Sequence, residues 1–204
     1  VILPEGFTHI DQEAFASCKN LKSINFPNSL THIGKNAFEE TKLSVLILPD
    51  SVKNIGELAF SNCIALTSVT LSKSLTSIEN NTFLGCTALT SVTIPKGITS
   101  IGEGAFAYCS ALGAITIPSG VISIGKDAFQ STALTSVTLP EGIVSIKKGA
   151  FGFCKQLTSV TLSKGLTEIA EEAFMGCTAL TSVTFPDTLT SIGESAFSRC
   201  KSIS

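Results

Sequence analysis

Three sets of residues in this 204-residue sequence have types and spacing suited to chemistry: seven cysteines, two histidines and long rows of serine and threonine. All seven Cys occupy one equivalent position, three residues after a phenylalanine: Cys18, Cys63, Cys86, Cys109, Cys154, Cys177 and Cys200. Thiolates bind metals or pair as disulfides, but the sequence has no Cys-x-x-Cys pair, the spacing that marks a metal site. Side chains stacked on neighbouring parallel segments hold their Cβ atoms about a strand spacing apart, wider than a disulfide prefers. The series therefore predicts a ladder of buried free thiols that act as small hydrophobes. Thr41 and Thr132 replace Cys in two places, and in both the loop that follows is one residue shorter, Thr41-Lys42-Leu43 against Cys63-Ile64-Ala65-Leu66. That coincidence predicts that burial of the slot depends on the longer loop.

His9 and His32 are the only histidines, and later copies of their position hold Asn54, Ser77, Ser100, Ser123, Ser145, Glu168 and Ser191. Their rings can stack about one strand spacing apart. Two ligands with no carboxylate at the same level make a poor metal site, so they read as solvated side chains, and no metal or cofactor is expected. Acid–base catalysis needs titratable groups with shifted pKa in a cleft. Glu103, Glu171 and Glu194 fall instead in polar stretches that read as a solvated face. The recurring Ile-Gly-x-x-Ala has no Lys-Ser/Thr continuation and is no phosphate loop. No catalytic residue is expected, and the chain reads as a non-enzyme.

The hydroxyl rows are more informative. One row runs Ser23, Val45, Ser68, Ser91, Ala114, Ser136, Ser159, Ser182, and a second, two residues on, runs Asn25, Ile47, Thr70, Thr93, Thr116, Thr138, Thr161, Thr184. Such a ribbon suits a solvated sheet, a binding surface for an extended partner, or ice binding on a flat Thr array. Val45 and Ile47 break the rule with an apolar pair that could anchor a partner. The candidate binding residues are Val45, Ile47, Ser68, Thr70, Ser91, Thr93, Thr116, Ser136, Thr138, Ser159, Thr161 and Thr184.

The elements that carry these rows follow from periodicity. There is no Trp and one Tyr, and nine of the 13 Phe stand 22 or 23 residues apart, at 15, 38, 60, 83, 106, 129, 151, 174 and 197. Repeats at this spacing are read before any secondary structure. Each repeat opens with apolar residues in the order Leu-x-x-Val-x-Ile, such as Leu89, Val92 and Ile94, whose last two alternate with polar residues as one side of a strand does. All seven Pro (4, 27, 49, 95, 118, 140 and 186) sit in the next slot, where a residue without an N–H donor ends the ladder. Ser72 and Ser163 take the remaining two places. A second apolar pair, such as Ile98 and Ile101, predicts a short extended segment on the opposite wall. Gly-Glu-Gly-Ala-Phe then reads as one helical or 3₁₀ turn whose Phe fills the space between the walls.

No single repeat can bury these faces, so stacking must make the core continuous. The expectation is one domain, residues 1–204, of about nine repeats. Its ends match parts of a repeat without a polar cap, which predicts a segment of a longer array and the possibility of end-to-end self-association. With 44% hydrophobic residues and a net charge of −2, disorder is excluded. The 14 basic against 16 acidic residues argue against nucleic acid. The longest apolar run, Ala105 to Cys109, is far below the roughly 20 residues of a membrane span.

The repeat L-x-x-V-x-(I/L)-P-x-x-(L/I)-x-x-I-G-x-x-A-F-x-x-C resembles the BspA-like, Treponema-type class of leucine-rich repeats. The match is carried by Pro95, Ile101-Gly102, Ala105-Phe106 and Cys109 and their equivalents along the chain. Departures are Ser72 and Ser163 for Pro, Thr82 for Ala, and Thr41 and Thr132 for Cys. The resemblance implies a right-handed solenoid with a parallel sheet on one face. It also implies a surface or secreted protein of bacteria or mucosal protists that adheres to host or matrix proteins, or else a spacer that projects another domain. The class supplies neither catalytic residues nor a fixed binding motif.

Overall fold

The computed structural model describes residues 1–203. The chain is a parallel β-solenoid in which every repeat stacks on the one before it. On the first wall lie the three-residue strands Val45–Ile47, Ser68–Thr70, Ser91–Thr93, Ser136–Thr138 and Ser159–Thr161. Their central Leu or Val faces the core and the flanking pair faces out, as the period of two requires. Pairing is parallel and in register, for example Val45↔Ser68↔Ser91 and Ile47↔Thr70↔Thr93.

The expected continuous ribbon is interrupted. Ala114-Ile115-Thr116 and Ser182-Val183-Thr184 form no strand, so Val45 to Thr93 and Ser136 to Thr161 belong to separate sheets. The first interruption has a local cause. In the slot after the leading Leu, Thr90 donates both its N–H (3.0 Å) and its hydroxyl (3.1 Å) to the Thr67 carbonyl. Thr158 clamps the Thr135 carbonyl in the same way, at 2.9 and 3.0 Å. Gly113 occupies this slot one repeat after Thr90. It has no hydroxyl to give, and the clamp is lost there.

The second wall carries two-residue strands, His9–Ile10, His32–Ile33 and Asn54–Ile55 in one sheet, Ser77–Ile78, Ser100–Ile101 and Ser123–Ile124 in another, and Ser145–Ile146, Glu168–Ile169 and Ser191–Ile192 in a third. The next residue decides where these sheets break. Gly34, Gly56, Gly102, Gly125 and Gly193 each donate an N–H to the preceding repeat at 2.7–2.8 Å. A Cβ there would lie 2.5–2.7 Å from that repeat's backbone. Glu79 and Lys147 stand in the slot these glycines hold elsewhere, and both breaks fall beside them. Ala170, whose side chain is one methyl, keeps its bond to Ile146 at 2.9 Å.

The Ala-Phe segment is not the helical or 3₁₀ turn expected from sequence; no helix occurs among the described residues. Alternate N–H groups go to different partners. Asn36, Phe38 and Glu40 donate to Glu57, Ala59 and Ser61 of the next repeat at 2.8–3.0 Å, while Ala37, Glu39 and Thr41 close turns three residues back. Left-handed backbone at Asn36 (φ 54°) and Glu40 (φ 56°) prevents a helix from propagating. The Phe side chains do fill the space between the walls. Rings from Phe15 to Phe197 stack face to face at 5.2–5.7 Å without a gap. One apolar core runs from Ile10 to Ala196.

Candidate binding surface

The period of two on the first wall sets the candidate surface. Thr70, Ser91, Thr93, Ser136, Thr138, Ser159 and Thr161 are exposed, Ser68 is half-buried, and the residues between them point inward. Thr116 and Thr184 are exposed too, but they lie in the unpaired segments and are not part of either sheet. Val45 (49% exposed) and Ile47 (65%) open the first sheet with two bare apolar side chains. With Pro49 they form one side of a shallow groove whose other side is Ile24, Asn25, Phe26 and Asn28. Phe26 is held there by edge-on packing against Phe38 at 5.7 Å.

A second apolar pair was missed in the sequence. Ile122 and Val144 are exposed on the other wall, in a slot that elsewhere holds Thr8, Thr31, Lys53, Thr76, Thr99, Thr167 and Thr190. Like Val45 and Ile47, each is an apolar residue in a slot held mostly by hydroxyl side chains. Gly142 lies so close beneath that its Cβ would be 2.8 Å from Ile122 Cγ2.

The cysteines are free thiols. Cys63, Cys86, Cys109, Cys154 and Cys177 are buried, whereas Cys18 is exposed and Cys200 half-buried. They do more than fill space. Each of the five buried thiols, and Cys200, donates to the Phe carbonyl of the preceding repeat at 3.1–3.2 Å. Burial pushes the thiols upward: Cys109 to about 12, Cys154 to about 11, and Cys63, Cys86 and Cys177 also up. The expectation that burial depends on the longer loop is overturned, because Thr41 and Thr132 are 1% and 3% exposed. Their hydroxyls turn back to the Phe carbonyl of their own repeat at 2.9 Å and meet the next thiol, Cys63 or Cys154, at 3.3 and 3.2 Å. A hydroxyl can satisfy itself locally, so the slot stays buried with the shorter loop.

His9 and His32 stack at 4.5 Å with 8° between ring planes. Among the described residues no group of three His, Cys, Asp or Glu side chains converges on one point. Glu103 pairs with Lys126 at 3.4 Å and Glu171 with Lys148 at 2.7 Å, which ties carboxylates to the neighbouring repeat. No helix among the described residues is long and apolar enough to cross a membrane.

The sequence matches the BspA type leucine rich repeat region in six copies, over residues 1–112 and 76–204. A leucine-rich repeat protein from Bacteroides ovatus superposes with TM-score 0.69 at 25% identity, covering 98% of this chain and 70% of that one. A leucine rich repeat protein from T. pallidum superposes equally well, TM-score 0.69 at 28% identity, over 93% of this chain and 78% of that one. A leucine rich cell surface protein from Faecalibacterium prausnitzii shares the fold at TM-score 0.52 and 24% identity, over 99% and 79%. No curated protein matches the sequence. With family repeats matched from end to end and two well-superposed relatives, the chain belongs to the BspA-type leucine-rich repeat family.

Proposed function

We propose that this chain is a non-enzymatic adhesion or protein-binding module, carried on a cell-surface or secreted protein, whose partner is an extracellular or host protein. The observation that carries the reading is the pattern on the first wall. In-register exposed hydroxyl rows flank buried Leu and Val, and they begin at the exposed pair Val45 and Ile47. Contact would be multivalent, many weak regular contacts along an extended partner, with Val45 and Ile47 as the anchor.

The test is binding of the chain to a panel of extracellular-matrix and serum proteins, alongside a Val45→Ser, Ile47→Ser variant. Saturable binding that weakens in the variant, at unchanged melting temperature, supports the reading. A second reading, a spacer that projects another domain, is favoured by the unbroken Phe stack, which makes the solenoid a regular rod. A folded chain that binds no panel member would favour the spacer.

A further inference from the structure

We propose, resting on the adhesive reading of the first wall, that the groove beside Val45 and Ile47 takes an acidic linear peptide: an extended segment of a partner protein in which aliphatic side chains lie next to Asp or Glu. The groove exists because the ladder opens. Ser44 donates its N–H to the Lys22 carbonyl at 3.3 Å, and beyond that point no backbone bond joins residues 23–26 to 45–48 among the described residues. Phe26, Val45, Ile47 and Pro49 line the opening. The exposed amides of Asn25 and Asn28 rim it with donors and acceptors for a peptide backbone. Residues 45–49 run for about 13 Å at roughly 3.3 Å per residue, the length of about four extended residues.

Charge decides what fills it. The loops that lead into the first wall, 19–22, 42–44, 64–67, 87–90, 110–113, 133–135, 155–158 and 178–181, hold Lys19, Lys22, Lys42 and Lys155 and no Asp or Glu. All but Lys155 stand at the start of this groove. Lys19 is paired with Glu40 at 3.5 Å. Lys22 and Lys42 are exposed and form no ion pair among the described residues. At the far end Asp50 is tied to Lys73 at 3.2 Å. The unmatched charge is therefore two ammonium groups at one end of an apolar cleft, which selects a carboxylate beside an apolar side chain. A sulfated glycan would meet the lysines but has no side chain to cover Val45 and Ile47. The other 22-residue repeat supplies the contrast. The wall opens there too, past the Thr135 N–H bond to the Gly113 carbonyl at 3.1 Å. Ser136 and Thr138 replace the apolar pair, Gly113 and Ala133 replace the lysines, and Glu141 lines the cleft.

The experiment is fluorescence anisotropy of the chain with three labelled peptides of about 12 residues. They share a core of Leu, Ile and Thr and differ only in their flanking residues, which are Glu, Gln or Lys. The Glu probe is expected to bind at least about fivefold tighter than the Gln probe, the Lys probe no tighter than the Gln probe, and added salt should narrow the gap. Lys22→Glu and Lys42→Glu each weaken the Glu probe about fivefold. The double variant Val45→Ser, Ile47→Ser weakens the Glu and Gln probes alike. Lys155→Glu, the same charge change on a distant loop, leaves binding unchanged. All these side chains are exposed, so melting temperatures should stay at the parent value. The proposal is overturned if the Glu probe shows no saturable binding up to about 1 mM, if the Glu and Gln probes bind within twofold of each other, or if Lys155→Glu costs as much as Lys42→Glu. Heparin that displaces the Glu probe and binds the double variant as tightly as the parent would assign the lysines to a sulfated glycan and overturn it too. A panel protein whose binding falls in the double variant but not in Lys22→Glu or Lys42→Glu would overturn the acidic-peptide assignment and leave the adhesive reading standing. Panel binding that the double variant does not weaken would remove both.

Discussion

The buried thiol ladder gives a pH dependence that can be worked through for one residue. Cys109 is fully buried, and burial raises its pKa from 9.0 to about 12. In the unfolded chain the thiol ionises near 9.0. Because the folded-state value is raised, the stabilisation is complete below 9 and is lost as pH rises towards 12. At pH 10, one unit above the unfolded value, the loss is about 1.4 kcal/mol. Cys109→Ala removes this term while leaving other titrating groups in place. Its destabilisation, measured by urea unfolding at pH 7.5 and pH 10, is therefore expected to shrink by about 1.4 kcal/mol at the higher pH. The same shift predicts chemistry. A three-unit rise cuts the thiolate fraction about a thousandfold, before any steric protection is counted. Alkylation at pH 8 followed by peptide mass spectrometry should modify Cys18 quickly, with Cys109 and Cys154 following only on unfolding. Equal labelling of Cys18 and Cys109 in the folded chain, or a Cys109→Ala effect that does not change with pH, would refute the reasoning.

Other expected outcomes concern the stack itself. Phe106→Ala removes a ring stacked on both sides and should cost about 3–5 kcal/mol in urea unfolding. Phe15→Ala, half-buried with one stacked neighbour, should cost clearly less. Gly125→Ala places a Cβ 2.5 Å from the Glu103 nitrogen and should cost about 1–3 kcal/mol, with loss of amide-exchange protection at the Gly125 N–H. Ser72→Ala leaves the Val52 carbonyl without the 2.6 Å hydroxyl bond it now accepts and should cost about 1 kcal/mol in the same assay.

The repeat, its inward residues and its parallel stacking were legible because each is written into a slot that recurs. Leu89, Val92, Ile94, Ile98, Ile101 and Phe106 all lie in the core where the pattern puts them. What was not legible depended on contacts between repeats. The Ala-Phe segment looks helical when one repeat is read alone. Its structure is set by alternate N–H groups that reach the next repeat, and this forces left-handed backbone at residues as ordinary as Glu40 and Leu58. Single substitutions stand at three of the sheet breaks. Gly113 lacks a hydroxyl, and Glu79 and Lys147 carry side chains where close backbone approach favours Gly. The thiols could be placed by spacing, but their role as donors to the Phe carbonyls needed the distance to the preceding repeat. Ile122 and Val144 are legible as apolar departures from a slot held mostly by Thr, but that they are exposed follows only from the second wall's outward face.

The central claim is that binding belongs to the first wall. The direct measurement is a charge comparison between walls against whichever panel protein binds saturably. Thr70→Glu, Thr93→Glu and Thr138→Glu place carboxylates on exposed positions of the two sheets, and Lys53→Glu and Ser123→Glu place them on the second wall. With melting temperatures unchanged, the account predicts that the first three each weaken binding several-fold and the last two do not. Binding that survives all three first-wall variants, or that is lost in Ser123→Glu beside Ile122, would contradict it.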